Sequence, residues 1–297
     1  MSFIDKIAIG TTKLGISYGL VDQVQIDENQ SAQIFSKANQ LGFNCFDTAP
    51  SYGCAETLIG KYLAQELRHK CVTKVAKIPD KKISSQALLK VEESFQTSLQ
   101  NMRTQSCYGL LVHDVQDLYK PGAKQLVDWM QSLKVKGLVN KVGVSVYTPK
   151  EAEEIFQRFD FDIIQLPYNV FDQRFLMSGV IETLANQGVE IHARSLFLKG
   201  LFLKDISQNH LLAENFPKSL LKHKQAFSQH LSELKLLPYD VCLNFAKAQK
   251  NINRWVVGVS SEQQLSQLID SSQESESSID FDQWVFAIER ELDPRNW

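Results

Sequence analysis

Four residues stand where side chains could move a proton. Phe43 to Asp47 is a short apolar run that ends in a carboxylate, Asp47, and reads as a buried strand. A Pro50-Ser51 turn follows, then Tyr52 and Gly53, so that the acid and the phenol can point into one pocket. Lys74 lies inside Val72-Thr73-Lys74-Val75, and His113 closes Leu110-Leu111-Val112-His113. A lysine inside an apolar strand is costly unless it is paired, and Asp47 on the neighbouring strand is the obvious partner. A free tyrosine ionises near pH 10. An ammonium beside it favours the phenolate, which makes such a tyrosine a usable acid or base near neutrality. The plainer reading of 43–53 is a strand-end Asp capping a turn with a Tyr packed over it.

These residues need elements to hold them. Strand-like runs occur at 7–10, 43–47, 71–75, 109–113, 142–146, 163–167, 189–195 and 255–259. Helical spacing is expected from Asp27 to Gln40, Glu56 to about Arg68, Ser84 or Ser85 to about Met102, Ala123 to Lys136, Thr148 to Phe159, Arg174 to Gln187, Tyr239 to Ala248, Ser261 to Ile269 and over 281–291. Strict alternation with short connections implies a parallel sheet, and eight units imply a closed α/β (β/α)8 TIM barrel filling 1–297 as a single domain. The doubly wound alternative wants a G-x-G-x-x-G after an early strand, and none is present. The stretch 200–236 breaks the rhythm and reads as a long functional loop, helical over 218–236.

A length of 297 residues suits one barrel of about 250 residues with additions. A net charge of −2 gives no electrostatic case for nucleic acid. No run of about 18 apolar residues occurs, so no membrane span is expected. The opening lacks a signal peptide's apolar region. The five cysteines include no C-x-x-C pair, and reduced thiols in a cytoplasmic protein are expected. None of the six histidines has zinc-like spacing, and no metal is expected. Lys77 has the opposite strand parity to Lys74 and reads as a surface lysine. His192 reads as a satisfied strand histidine.

In this order on this rhythm, the motifs F-D-T-A-P-S-Y-G-C-A-E (46–56), T-K-V (73–75), L-L-V-H-D (110–114), G-V-S (143–145), Q-L-P-Y-N (165–169), A-R-S-L-F-L-K-G-L-F (193–202) and V-G-V-S-S-E-Q-Q-L (257–265) resemble the aldo-keto reductase family over nearly the whole chain. The resemblance implies hydride transfer between a nicotinamide cofactor and an aldehyde or ketone. It puts Tyr52 as general acid/base, Lys74 beside it, Asp47 holding Lys74, and His113 orienting the carbonyl. It implies cofactor contacts from Gly10, Thr11 and Thr12. Ser145 and Gln165 match the pair that binds the carboxamide, with Val146 where a companion Asn is usual. Arg194 stands where an aromatic often stacks on the nicotinamide. Ser195, Lys199 and Gly200 resemble the pyrophosphate loop. Ser260, Ser261 and Gln264 fall where the adenosine 2′-phosphate is read, without the family's frequent Lys and Arg, and Leu268 replaces a common adenine-binding Asn. NADP(H) is favoured over NAD(H). An NAD-linked aldose or sugar dehydrogenase and a slow nicotinamide-binding sensor are the alternatives. The partner expected is a small-molecule carbonyl substrate, in a pocket open on two sides with 200–236 as its main wall; the oligomeric state is undetermined.

Overall fold

The computed structural model describes residues 3–19, 24–204, 216–272, 279–293 and 296. Eight parallel strands close into a barrel in chain order. They are β1 (Ile7–Gly10), β2 (Phe46–Asp47), β3 (Cys71–Val75), β4 (Cys107–Val112), β5 (Val139–Ser145), β6 (Ile163–Pro167), β7 (Glu190–Arg194) and β8 (Arg254–Gly258). β8 pairs with β1, with Gly10 opposite Gly258. Most of the core lies between the barrel and its helices. A smaller cluster of Ala8, Cys45, Val72, Leu111 and Ile163 fills the interior. Strand residues two apart share a face. The parity that turns Ala8, Cys45, Val72, Leu111 and Ile163 inward therefore also turns Gly10, Asp47, Lys74, His113 and Gln165 inward, one layer nearer the C-terminal ends.

Several boundaries differ from expectation for local reasons. β2 pairs over two residues rather than five. The Phe43 N–H closes the preceding helix (Glu28–Gln40) by bonding Ala38 O at 3.1 Å, with Gly42 at φ +78 between them, and so is not available to the sheet. The helix expected from Glu56 to Arg68 stops at Tyr62, because Leu63 turns extended and buries its side chain. A 3-10 segment (Gln65–Lys70) continues the chain, with Arg68 Nε donating to Leu63 O at 3.0 Å. The helix expected over 174–187 is two, Arg174–Met177 and Val180–Asn186, divided by Gly179 at φ +76. The helix expected over 281–291 is a 3-10 turn (Asp282–Trp284) and a short helix (Glu289–Leu292). Between them the Phe286 N–H is spent on Phe171 O at 2.9 Å, a tertiary bond that competes with helix. β4 and β5 begin earlier than expected, at Cys107 and Val139. Of the irregular stretch 200–236, Leu198–Leu203 is 3-10 and Lys218–Glu233 is helical, while 205–215 lie outside the described residues, as does most of the Ser/Glu-rich linker over 271–278.

The N-terminal end of the barrel carries its own polar group. Glu190 accepts from Tyr108 Oη and His192 Nε2 at 2.6 and 2.8 Å and from Lys141 Nζ. His192 is thus half satisfied: its Nδ1 has no partner among the described residues. Arg254 donates to Asp5 O at this same end.

Candidate active site

β2 delivers Asp47 to the C-terminal mouth, and β3 delivers Lys74 beside it. Both side chains are nearly closed to solvent, at 5% and 1% exposure. Lys74 Nζ donates to Asp47 Oδ1 at 2.7 Å and to Thr48 O at 2.8 Å. Burial alone would lower the Lys74 pKa. The Asp47 charge, then Tyr52 and hydrogen bonds to both, reverse that and raise it, so Lys74 is an ammonium at neutral pH. The other Asp47 oxygen accepts from Gln165 Nε2 at 2.8 Å. The carboxylate thus joins β3 to β6 across the barrel. That link had no signal in the linear sequence, since the two residues are 118 positions apart.

Tyr52 lies on the turn after β2, where its N–H bonds Ala49 O and its carbonyl accepts from Ala55 N. The Lys74 Nζ is 5.0 Å from its ring centroid. Two glycines seat this turn. Gly53 has φ +55, and a Cβ on Gly15 would stand 1.6 Å from Tyr52 O, so only a bare backbone at Gly15 lets the β1 loop pack against the tyrosine's peptide. His113 follows β4, its ring edge-on to Tyr52 at 5.9 Å, with Nδ1 3.5 Å from Ser51 Oγ. Burial first, then the Lys74 charge, lowers its pKa to about 4, so His113 is neutral at pH 7. Lys77 is exposed and pairs with Asp114.

A cavity of ≈ 310 Å³ opens above these groups. Of the residues singled out in the sequence, Gly10, Thr12, Asp47, Tyr52, Gln165, Arg194, Ser195, Lys199, Gly200, Ser260 and Gln264 line it. Lys74, His113, Thr11, Ser145 and Ser261 are not in its lining. Thr11 is fully buried and bonds Asp47 O through both its N–H and its hydroxyl, at 2.9 and 3.0 Å. Ser145 is buried at the end of β5, opposite Gln165. Ser261 Oγ accepts from Gln264 N at the start of the helix Glu262–Ser272, and Gln264 Oε1 accepts from Ser260 N. Val146 turns its side chain into the outer core, and its carbonyl accepts from Arg194 at 3.1 Å. The Arg194 guanidinium lies 4.2 Å above the Tyr147 ring. Sequence reasoning missed Lys13, Tyr18 and Gly19 on the loop after β1. The rule that strand C-terminal ends carry the site, applied to β1, would have found them.

These residues fit a dinucleotide. Gly10 and Gly258 leave the floor between β1 and β8 without side chains. Four cations line the cavity, and the single acid among the lining residues is already paired. The loop after β7 holds Ser195, Leu198, Lys199 and Gly200 at positive φ, strain that backbone stores where it must cradle a ligand. No group of three or more metal-ligating side chains occurs among the described residues, and no described helix is long and apolar enough to cross a membrane.

The lowered His113 pKa has a consequence for stability. Between pH 6.5 and about 4 the unfolded chain binds a proton at His113 that the folded chain refuses, so stability contributed by this group falls as pH drops through that window. Urea titrations of wild type and His113→Asn should show a flatter acid-side decline in the variant, by about one proton's worth; parallel declines would contradict the half-buried neutral imidazole.

The family model described as "Aldo/keto reductase family" matches residues 6–287. A curated relative, "Uncharacterized oxidoreductase YqkF" of Bacillus subtilis (strain 168), is 24% identical over an alignment of 289 positions that covers 90% of this chain and 90% of that one. Among solved structures, the holo form of the aldo-keto reductase AKR11C1 from Bacillus halodurans aligns with a TM-score of 0.68 and 18% identity, over 97% of this chain and 91% of that one. The putative aldo-keto reductase PA4992 from Pseudomonas aeruginosa aligns with a TM-score of 0.64 and 19% identity, over 90% and 89% of the two chains. The chain belongs to the aldo/keto reductase family and is an NAD(P)H-dependent oxidoreductase.

Proposed function

We propose that this protein reduces aldehydes or ketones with NADPH, with Tyr52 as the proton donor. The observation that carries the reading is the Lys74 ammonium, buried, bonded to Asp47 and 5.0 Å from the Tyr52 ring at the foot of a cationic cavity. A bound nicotinamide supplies the hydride to the carbonyl carbon. As negative charge gathers on the carbonyl oxygen, Tyr52 gives that oxygen its phenolic proton. The charge left on the phenol oxygen is stabilised by Lys74, a fixed cation in a site with little water to screen it. Asp47 keeps Lys74 charged and in place, and Gln165 keeps Asp47 in place. His113, neutral with Nδ1 toward Ser51, has Nε2–H to donate to the carbonyl oxygen and align it.

For the cofactor, Gln165 with Ser145 would hold the carboxamide and Arg194 would stand against the nicotinamide. Ser195, Lys199 and Gly200 would hold the pyrophosphate beside Gly10 and Thr12, with Thr11 fixing the β1 end against Asp47. Ser260, Ser261 and Gln264 would meet the adenosine 2′-phosphate. A cytoplasmic location is supported by the five free thiols.

Tyr52→Phe should lower turnover by at least about 100-fold while dinucleotide binding, followed by fluorescence titration, stays within a few-fold. Turnover near wild type in this variant would remove Tyr52 from the role. NADPH should bind more tightly than NADH by roughly one to two decades. The segment from Gly258 to Leu268 offers neutral donors, worth about 0.5–1.5 kcal/mol each, and no Lys or Arg. A preference above about a thousandfold would mean that a cation such as Lys13 reaches the phosphate. A preference for NADH would favour the NAD-linked dehydrogenase.

A further inference from the structure

One buried acid takes no part in the chemistry above. Glu56 is 3% exposed, and its partners are hydroxyls. Thr73 Oγ1, itself fully buried, donates to Glu56 Oε1 at 2.6 Å. Ser98 of the helix Ser85–Asn101 reaches the same carboxyl. Burial raises the Glu56 pKa; the bonds from Thr73 and Ser98, and then the Lys74 charge, oppose that rise. The Lys74 ammonium does not pair with it, being bonded to Asp47. Burying a carboxyl is costly, and neither Glu56 nor Thr73 lines the cavity.

The two residues sit on the elements that carry the reacting pair. Glu56 is the second residue of the helix Ala55–Tyr62, and Ala55, the first, donates its N–H to Tyr52 O. Thr73 directly precedes Lys74 on β3. Adjacent strand residues face opposite sides. With Lys74 turned into the barrel, Thr73 turns outward to the layer of helices. β3 is therefore gripped from both faces. Inside, Lys74 bonds Asp47 and Thr48 O, which fixes the ammonium against β2. Outside, Thr73 bonds Glu56, which fixes the helix that the tyrosine's turn runs into.

We infer that Glu56 is a positioning residue for the proton transfer: through Thr73 it sets the separation of the Tyr52 phenol from the Lys74 ammonium. The inference rests on the reductase reading above. Charge develops on the phenol oxygen only as the proton leaves, so a misplaced ammonium weakens the transition state. Substrate and dinucleotide lie on the other side of the strand, so their binding is spared. The loss falls on kcat.

The double variant Glu56→Leu/Thr73→Val removes carboxyl and hydroxyl together and leaves neither buried without a partner. Ser98 Oγ keeps Ser94 O as its acceptor at 3.1 Å. With a simple aldehyde and NADPH, kcat should fall by about 10-fold or more, while KM and cofactor affinity stay within about two-fold. Glu56→Gln still offers Thr73 an oxygen and should recover most of the loss. A crystal structure of the double variant should show Lys74 Nζ farther from the Tyr52 ring centroid than the 5.0 Å found here, and Glu56→Gln should keep that spacing. If the double variant does not fold, Thr73→Val, which changes neither charge nor much volume, is read by the same measures. A folded variant with wild-type kcat or wild-type spacing overturns the inference, as does an equal loss of kcat in Glu56→Gln. Failure of wild type to reduce any aldehyde counts against the reductase reading instead, and the spacing then decides the inference by itself.

Discussion

An ammonium inside a protein is tolerated only where other groups replace its water, and the position of Lys74 imposes that demand on the whole mouth of this barrel. Asp47 and the Thr48 carbonyl meet it directly, at 2.7 and 2.8 Å. Asp47 is then a buried anion with its own demand, met by Gln165 from the far side of the barrel. The backbone of Asp47 is fixed as well, by Thr11 at the end of β1. Strands β1, β2, β3 and β6 are therefore tied by one polar group. Such a pair adds little to stability compared with apolar packing, yet removing one partner costs about 3–5 kcal/mol. Its presence is better explained by what it does to Tyr52, which sits against the cation on a turn that Gly15 and Gly53 hold in place.

The cavity above this group is lined by cations. Lys13, Arg194, Lys199 and Lys204 face it, and the acid among its lining residues, Asp47, is bonded to Lys74. A site that gathers positive charge around one paired acid is arranged for polyanionic ligands, and its field steers them inward. A dinucleotide answers part of that charge. Arg194, at the end of β7, is seated on the Tyr147 ring. The low His113 pKa belongs to the same field, because burial and neighbouring cations both oppose a further positive charge there.

Much of this was legible in the sequence because the barrel repeats a simple rhythm. Each strand is a short apolar run between helical segments, and all eight lie where the pattern put them, with ends shifted by a few residues. Asp47, Lys74 and His113 were recognisable as polar residues at or near strand ends, Gln165 through the family resemblance, and parity alone turns all four into one interior. What was not legible depends on contacts between distant parts of the chain. The Gln165–Asp47 bond, the approach of Gly15 to Tyr52, and the seat of Arg194 on Tyr147 each join separate βα units. The misjudged helices fail for a related reason. Leu63 and Phe286 leave helical geometry to satisfy burial or a tertiary hydrogen bond, and local periodicity carries no trace of either.

The central claim is that a cation buried beside Tyr52 exists for proton transfer and not for folding. The double variant Asp47→Asn/Lys74→Met removes both charges and so strands neither in the interior. Its turnover of a simple aldehyde with NADPH, measured alongside circular dichroism and cofactor titration, isolates that claim. The account predicts a folded protein that binds dinucleotide within a few-fold of wild type and turns over at least about 100-fold more slowly. A folded double variant with turnover close to wild type would contradict it.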